Sequence, residues 1–150
     1  MNKKSKQTLV VKKLIRAERA KVFAAWTEPE LMRRWFFPEG MSLVSSESDV
    51  RVGGRFRAAM SDGSNTHTVT GTYREIVAGE RLAFTHTWEE RDPVETLVTV
   101  EFMDQDGGTL VTLSHEGLPS ESSRLGHEGG WLGALANLSK FLKGELEAVS

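Results

Sequence analysis

Residues 95–146 read ETLVTVEFMDQDGGTLVTLSHEGLPSESSRLGHEGGWLGALANLSKFLKGEL, and the apolar spacing changes within them. Before the Asp106-Gly107-Gly108 turn, Val98, Val100 and Phe102 share one parity, and after it Val111, Leu113 and His115 share another. A period of two puts each set on one face of a strand, and the turn joins the strands as an antiparallel hairpin. Beyond Pro119 and Ser120 the period lengthens. Trp131, Leu135, Leu138, Leu142 and Leu146 follow at steps of four, three, four and four, one stripe of a helix. Glu121 and Glu128 near its start, with Lys140 and Lys143 near its end, suit the helix dipole.

Working back from the hairpin, alternation predicts strands near Ser42–Glu47, Arg55–Met60, Thr66–Val77, Arg81–Glu89, Glu95–Met103 and Thr109–Glu116. Gly53-Gly54, Asp62-Gly63-Ser64-Asn65, Ala78-Gly79-Glu80 and Arg91-Asp92-Pro93 supply turn chemistry between them, and such short connections imply an antiparallel meander. A further strand is expected over Leu9–Ile15, after a lysine-rich tail at residues 1–8. Next, Val22, Phe23 and Trp26 recur at helical spacing from Glu18 to Trp26, and a second short helix is expected over Pro29–Arg34. Thr27 and Glu30 have the spacing of a capping box opening that second helix. Strand, two short helices, six strands and a long helix make an α+β domain, expected over residues 9–148.

Composition bounds the function. At 150 residues, with 39% apolar and 27% charged side chains, the chain suits one core. Nineteen basic and 21 acidic residues, a net charge of −2, give no basic excess for a nucleic acid partner. The basic residues Lys3, Lys4, Lys6, Lys12 and Lys13 read as solvated rather than as an anion-binding patch. The absence of cysteine excludes disulfides, thiolate nucleophiles and cysteine-ligated metals, and fits a cytoplasmic location. No apolar run reaches the roughly 18 residues of a membrane helix, so membrane insertion is not expected. Asn137-Leu138-Ser139 matches a glycosylation acceptor, but no export signal precedes it to give it a role.

A curved sheet with one helix across its concave face need not close completely, and the gap is a natural ligand site. The inward parity of each strand, together with the loop and helix tryptophans, gives a cavity set of Trp35, Phe56, Met60, Tyr73, Phe84, His86, Trp88, Val98, Val100, His115, Trp131 and Leu135. Each Phe, Val or Leu of the set also reads simply as core. Tyr73, Trp88, His86 and His115 are the polar handles, and Trp35 and Trp131 are expected at the mouth loop and on the helix. Arg55, Arg57, Arg74, Glu89 and Glu101 fall on the opposite face. Gly126, Gly129, Gly130 and Gly133 each cost the long helix about 1 kcal/mol against alanine. Close approach to the sheet or room for a bound molecule explains them, and close approach is the preferred reading.

Reaction motifs are missing. His67, His86, His115 and His127 show neither HExxH spacing nor a facial triad. His86 and His115 are the one plausible pair, and a strand between theirs sets their backbones about 9.6 Å apart, too far for ready chelation. No metal or other cofactor is expected. There is no G-x-S-x-G elbow, and Gly53-Gly54 lacks the frame of a phosphate loop.

Several segments, taken in order, carry a family resemblance. They are Ile15 to Pro38, with Val22-Phe23-Ala24-Ala25-Trp26-Thr27-Glu28-Pro29-Glu30 and Arg34-Trp35, then Asp49 to Phe56, Gly71 to Val77, and Arg81 to Thr85 with Trp88. Gly108 to His115 and Gly130-Trp131 followed by Leu138 complete the series. Over residues 9–144 the chain resembles the Hsp90-ATPase-activator-homologue-like family. The resemblance implies the helix-grip fold of START-like and Bet v 1-like proteins, a curved sheet of about seven strands around a C-terminal helix, with a cavity for hydrophobic molecules. Some related branches are cyclases or hydrolases, so it fixes the fold more firmly than the activity and carries over no catalytic residue. Co-chaperones of that name have an additional N-terminal domain, for which 150 residues leave no room.

The expected function is therefore binding of a hydrophobic or amphipathic small molecule between sheet and helix, by a monomer or homodimer. Two alternatives remain: an enzyme in which a cavity histidine works with Tyr73 or a pocket carboxylate, and a chaperone-related module that acts through its outer surface.

Overall fold

A computed structural model describes residues 6–38, 40–90 and 94–143. Lys3, Lys4, the Arg91-Asp92-Pro93 turn and Leu146 lie outside them. The elements run β1 (Gln7–Ile15), α1 (Arg19–Thr27), α2 (Pro29–Met32), β2 (Ser42–Ser48), β3 (Arg55–Ser61), β4 (Thr66–Val77), β5 (Arg81–Trp88), β6 (Thr96–Gln105), β7 (Gly108–Leu118) and α3 (Glu121–Leu142). The strands form one antiparallel sheet in the order β1-β7-β6-β5-β4-β3-β2. Strands two to seven are a meander, and β1 closes against β7 at the far edge. With α3 packed on β1 and β7, this is the helix-grip architecture.

The alternation read from sequence matches the faces of the sheet. Phe56, Val69, Phe84, Val98, Val100, Val111 and Leu113 are all buried on the inner side. Outside, Arg57 clamps Glu89 through two bonds of 2.9 and 3.0 Å, Arg74 meets Glu95 at 3.2 Å, and Arg81 joins Glu75 to Glu101. Exposed pairs like these add little stability and mainly keep that face in water. Gly71 is fixed by crowding, since a Cβ there would lie 1.9 Å from the Thr85 carbonyl oxygen and 2.3 Å from the Phe56 ring.

The capping box does not form. Helix α1 runs through Thr27, whose hydroxyl donates to the Phe23 carbonyl 3.1 Å away and is thereby spent inside the first helix. Glu28, extended at φ −100° and ψ 119°, caps α2 without a side-chain bond. Helix α3 does have a side-chain cap: Ser120 Oγ accepts from the Ser123 N–H at 3.0 Å.

Between the short helices and α3 lies an aromatic core. Trp26 meets Trp35 edge-on at 4.6 Å and stacks on Trp131 at 6.2 Å, while the Trp35 indole donates to the Ala25 carbonyl at 2.9 Å. These contacts fix the chain after α2 beneath the helix and so place the loop that follows.

Candidate ligand cavity

Sheet and helix do not close on each other along their whole length. Where they part lies a partly open cavity of about 500 Å³. The sheet contributes Met60 from β3, His67 and Val69 from β4, and His86 and Trp88 from β5. The helix contributes His127, Gly130, Trp131 and Ala134, with Ser120, Ser122, Ser123 and Gly126 at its N-terminal end. Phe36, Phe37, Pro38 and Met41 form the remaining wall. That loop is tied to the helix by Asn137, whose side-chain amide donates to the Phe37 carbonyl at 3.1 Å.

Two helix glycines border this space, and the preference for close packing is corrected here. A Cβ on Gly126 would meet nothing within 4 Å, and one on Gly130 would only touch Pro38 at 3.8 Å. Room, rather than crowding, accompanies these positions.

Histidines and tryptophans interlock at one end of the cavity. The Trp131 indole N–H, which can only donate, gives its proton to His115 Nδ1 at 3.0 Å. That nitrogen is therefore unprotonated, and the ring carries its hydrogen on Nε2, 2.7 Å from Thr96 Oγ1. Thr96 in turn donates to the His86 carbonyl at 2.9 Å. Burial, with a smaller contribution from nearby His127, pushes the His115 pKa down to about 3. A parallel pair lies beside it. Trp88 donates to His127 Nε2 at 3.0 Å, and His127 Nδ1 lies 2.7 Å from the Ser123 carbonyl oxygen, to which it donates.

His86 and His115 approach more closely than their backbones imply. Strand β6 does run between β5 and β7, yet the ring centroids are 4.8 Å apart. His127 completes the cluster at 5.0 Å from His115 and 5.8 Å from His86. Both ring nitrogens of His115 and of His127 face tryptophan, threonine or carbonyl partners. Among the described residues, no group of three or more His, Asp or Glu is placed to hold a metal ion.

Of the residues expected at the cavity, Met60, His86, Trp88 and Trp131 are on its wall. His115 stands directly behind, through its bond to Trp131. Trp35, expected at the mouth, is instead fully buried in the aromatic core, and the next residues, Phe36 to Pro38, form the wall. Val98, Val100 and Leu135 are buried core residues away from the cavity lining. Phe56, Tyr73 and Phe84 surround a separate inner void of about 10 Å³. Burial raises the Tyr73 phenol to about 12, and this placement removes it as the acid–base partner of a cavity histidine.

Sequence reasoning missed His67, Thr96 and His127. The first two were legible: each lies one step of two from an inward residue, Val69 or Val98, on its own strand. His127 precedes Trp131 by four, the spacing of one helix face. The serines and the Phe36–Met41 loop carry no such period.

The comparisons agree with this architecture. Residues 16–143 match the model of the Activator of Hsp90 ATPase homolog 1-like protein family. No protein with a curated description gives a match. Among solved structures, protein CV1439 from Chromobacterium violaceum is 25% identical with a TM-score of 0.81, covering 90% of this chain and 96% of its own. An uncharacterized protein from Rhizobium leguminosarum is 30% identical with a TM-score of 0.75, covering 93% and 95%. The AHSA1-like protein from Aeromonas hydrophila is 28% identical with a TM-score of 0.77, covering 92% and 93%. With the family model matched along most of its length, the chain belongs to the Activator of Hsp90 ATPase homolog 1-like protein family.

Proposed function

We propose that this is a cytoplasmic protein that binds a hydrophobic or amphipathic small molecule in the cavity between sheet and α3, with residues 9–148 acting as one binding domain. The carrying observation is the open space beside Gly126 and Gly130, where a helix accepts poor formers without gaining close packing. Its size is within the range of small-molecule sites, and its wall is apolar with a few convergent polar groups. The helix-grip family supports the same reading.

Titration with the neutral, environment-sensitive dye Nile red tests it. Saturable fluorescence enhancement is expected in the wild type and at least a tenfold weaker response in Gly130→Leu, whose side chain would project into the cavity. Equal binding by both proteins, with the same far-UV circular dichroism, would place the dye elsewhere and contradict the reading.

A further inference from the structure

Three of the four tryptophan indoles have an acceptor: Trp35 the Ala25 carbonyl at 2.9 Å, Trp88 His127 Nε2 at 3.0 Å and Trp131 His115 Nδ1 at 3.0 Å. The fourth does not. Trp26 is 1% exposed, and its Nε1 finds no hydrogen-bond partner among the described residues. An indole nitrogen can only donate, so burial without an acceptor forfeits the hydration it has in the unfolded chain. Folded interiors seldom leave such a group alone, and a bound water is a common remedy. Ring faces are the other recourse of an N–H, and Trp35, Phe36 and Phe102 do surround Trp26, but a contact of that kind is weaker than a bond to oxygen.

Space for a water lies against the same ring. Trp26, Met32, Phe36, Phe56, Tyr73 and Phe84 enclose the inner void of about 10 Å³, at the lower limit of roughly 10–15 Å³ that admits one molecule. Of these six, Trp26 and Tyr73 are the two whose side chains carry an N–H or O–H. Burial keeps the Tyr73 phenol protonated, and Ser48 stands beside it. The Ser48 Oγ is buried too and has no partner at full bonding distance among the described residues. We infer that the inner void is a hydration site for a single buried water, which accepts the Trp26 N–H and donates to the Tyr73 hydroxyl oxygen. That water stands behind the wall of the ligand cavity, because Phe36 borders both spaces and Trp26 stacks on Trp131. It does not depend on what the larger cavity binds.

High-resolution X-ray diffraction from crystals of the wild-type protein tests the site. One ordered solvent peak is expected in the void, about 2.7–3.2 Å from both Trp26 Nε1 and Tyr73 Oη. A void without density, or a peak beyond that reach of Nε1, would overturn the inference. Proton NMR in solution gives a second reading. The Trp26 indole proton is expected to resonate downfield, as that of Trp35 does, and to show a cross-relaxation peak to water that Trp35 lacks. An upfield, ring-shielded Trp26 proton would place the N–H on a ring face and overturn the inference as well. Trp26→Phe removes the donor, and in crystals of that variant the solvent peak is expected to vanish; a peak retained at full occupancy would show that the indole does not hold it. Should Trp26→Phe not fold, the two wild-type measurements decide the matter alone.

Discussion

The indole of Trp131 on α3 donates to Nδ1 of His115 on β7 at 3.0 Å, joining helix to sheet through a buried neutral imidazole. Burial of that imidazole, with His127 nearby, sets how His115 responds to acid. Its pKa, ordinarily 6.5, is about 3 in the folded protein. The unfolded chain therefore binds a proton here that the folded chain refuses, across the range between those values. Stability from this residue is complete above pH 6.5 and falls on acidification toward pH 3, by at most about 1.4 kcal/mol per pH unit. Urea unfolding at pH 7.5 and pH 5 should show the decline in the wild type. His115→Gln should start less stable and decline less steeply, and an equal decline in both would assign the effect to other groups.

Trp131→Phe retains an aromatic ring beside Trp26 but removes the donor. The buried His115 nitrogen then lacks its partner, at an expected cost of about 1–3 kcal/mol. Chemical denaturation at neutral pH measures it. A cost under about 0.5 kcal/mol would mean that the indole bond contributes little.

Glycines in the same chain should respond oppositely to alanine. At Gly126 the new methyl enters open space on a helix, so Gly126→Ala should stabilise the fold by up to about 1 kcal/mol. Gly71→Ala forces its methyl against a backbone carbonyl and a phenyl ring, and a loss of about 1–3 kcal/mol or more is expected. Thermal melts of the two variants provide the comparison, and a melting temperature lowered in both would contradict the account of Gly126.

The helix starts supply a further contrast. Ser120→Ala removes the bond to the Ser123 N–H and should cost about 1 kcal/mol. Glu30→Ala removes no cap bond at α2 and should change stability by less than about 0.5 kcal/mol. The reverse ranking in urea titrations would restore the capping box that Thr27 and Glu30 spell in sequence.

That box shows where sequence patterns lose their force. Its spacing was right, but α1 extended one residue further and took the Thr27 hydroxyl for its own Phe23 carbonyl. Strand faces were legible because burial on one side enforces a period of two, which the Val69, Gly71 and Tyr73 series follows through β4. The cavity was harder to read, since the same inward parity serves solid core and open wall alike. Phe84 and His86 share a face of β5, yet one borders the inner void and the other the cavity. What separates them is what each faces, α3 at His86 and Trp26 with Met32 at Phe84, and no local pattern encodes it. The Phe36–Met41 wall has no period, and its place depends on the aromatic packing of Trp26 and Trp35 beneath it.

The most direct measurement is a native mass spectrum of freshly purified protein set against its denatured mass, for the wild type and for Gly130→Leu. The account predicts a small-molecule excess mass that recurs between wild-type preparations, is lost on denaturation and is absent from the variant. A wild type carrying no adduct, even after incubation with decanol and Nile red, or an adduct retained by Gly130→Leu, would contradict a ligand held between the sheet and α3.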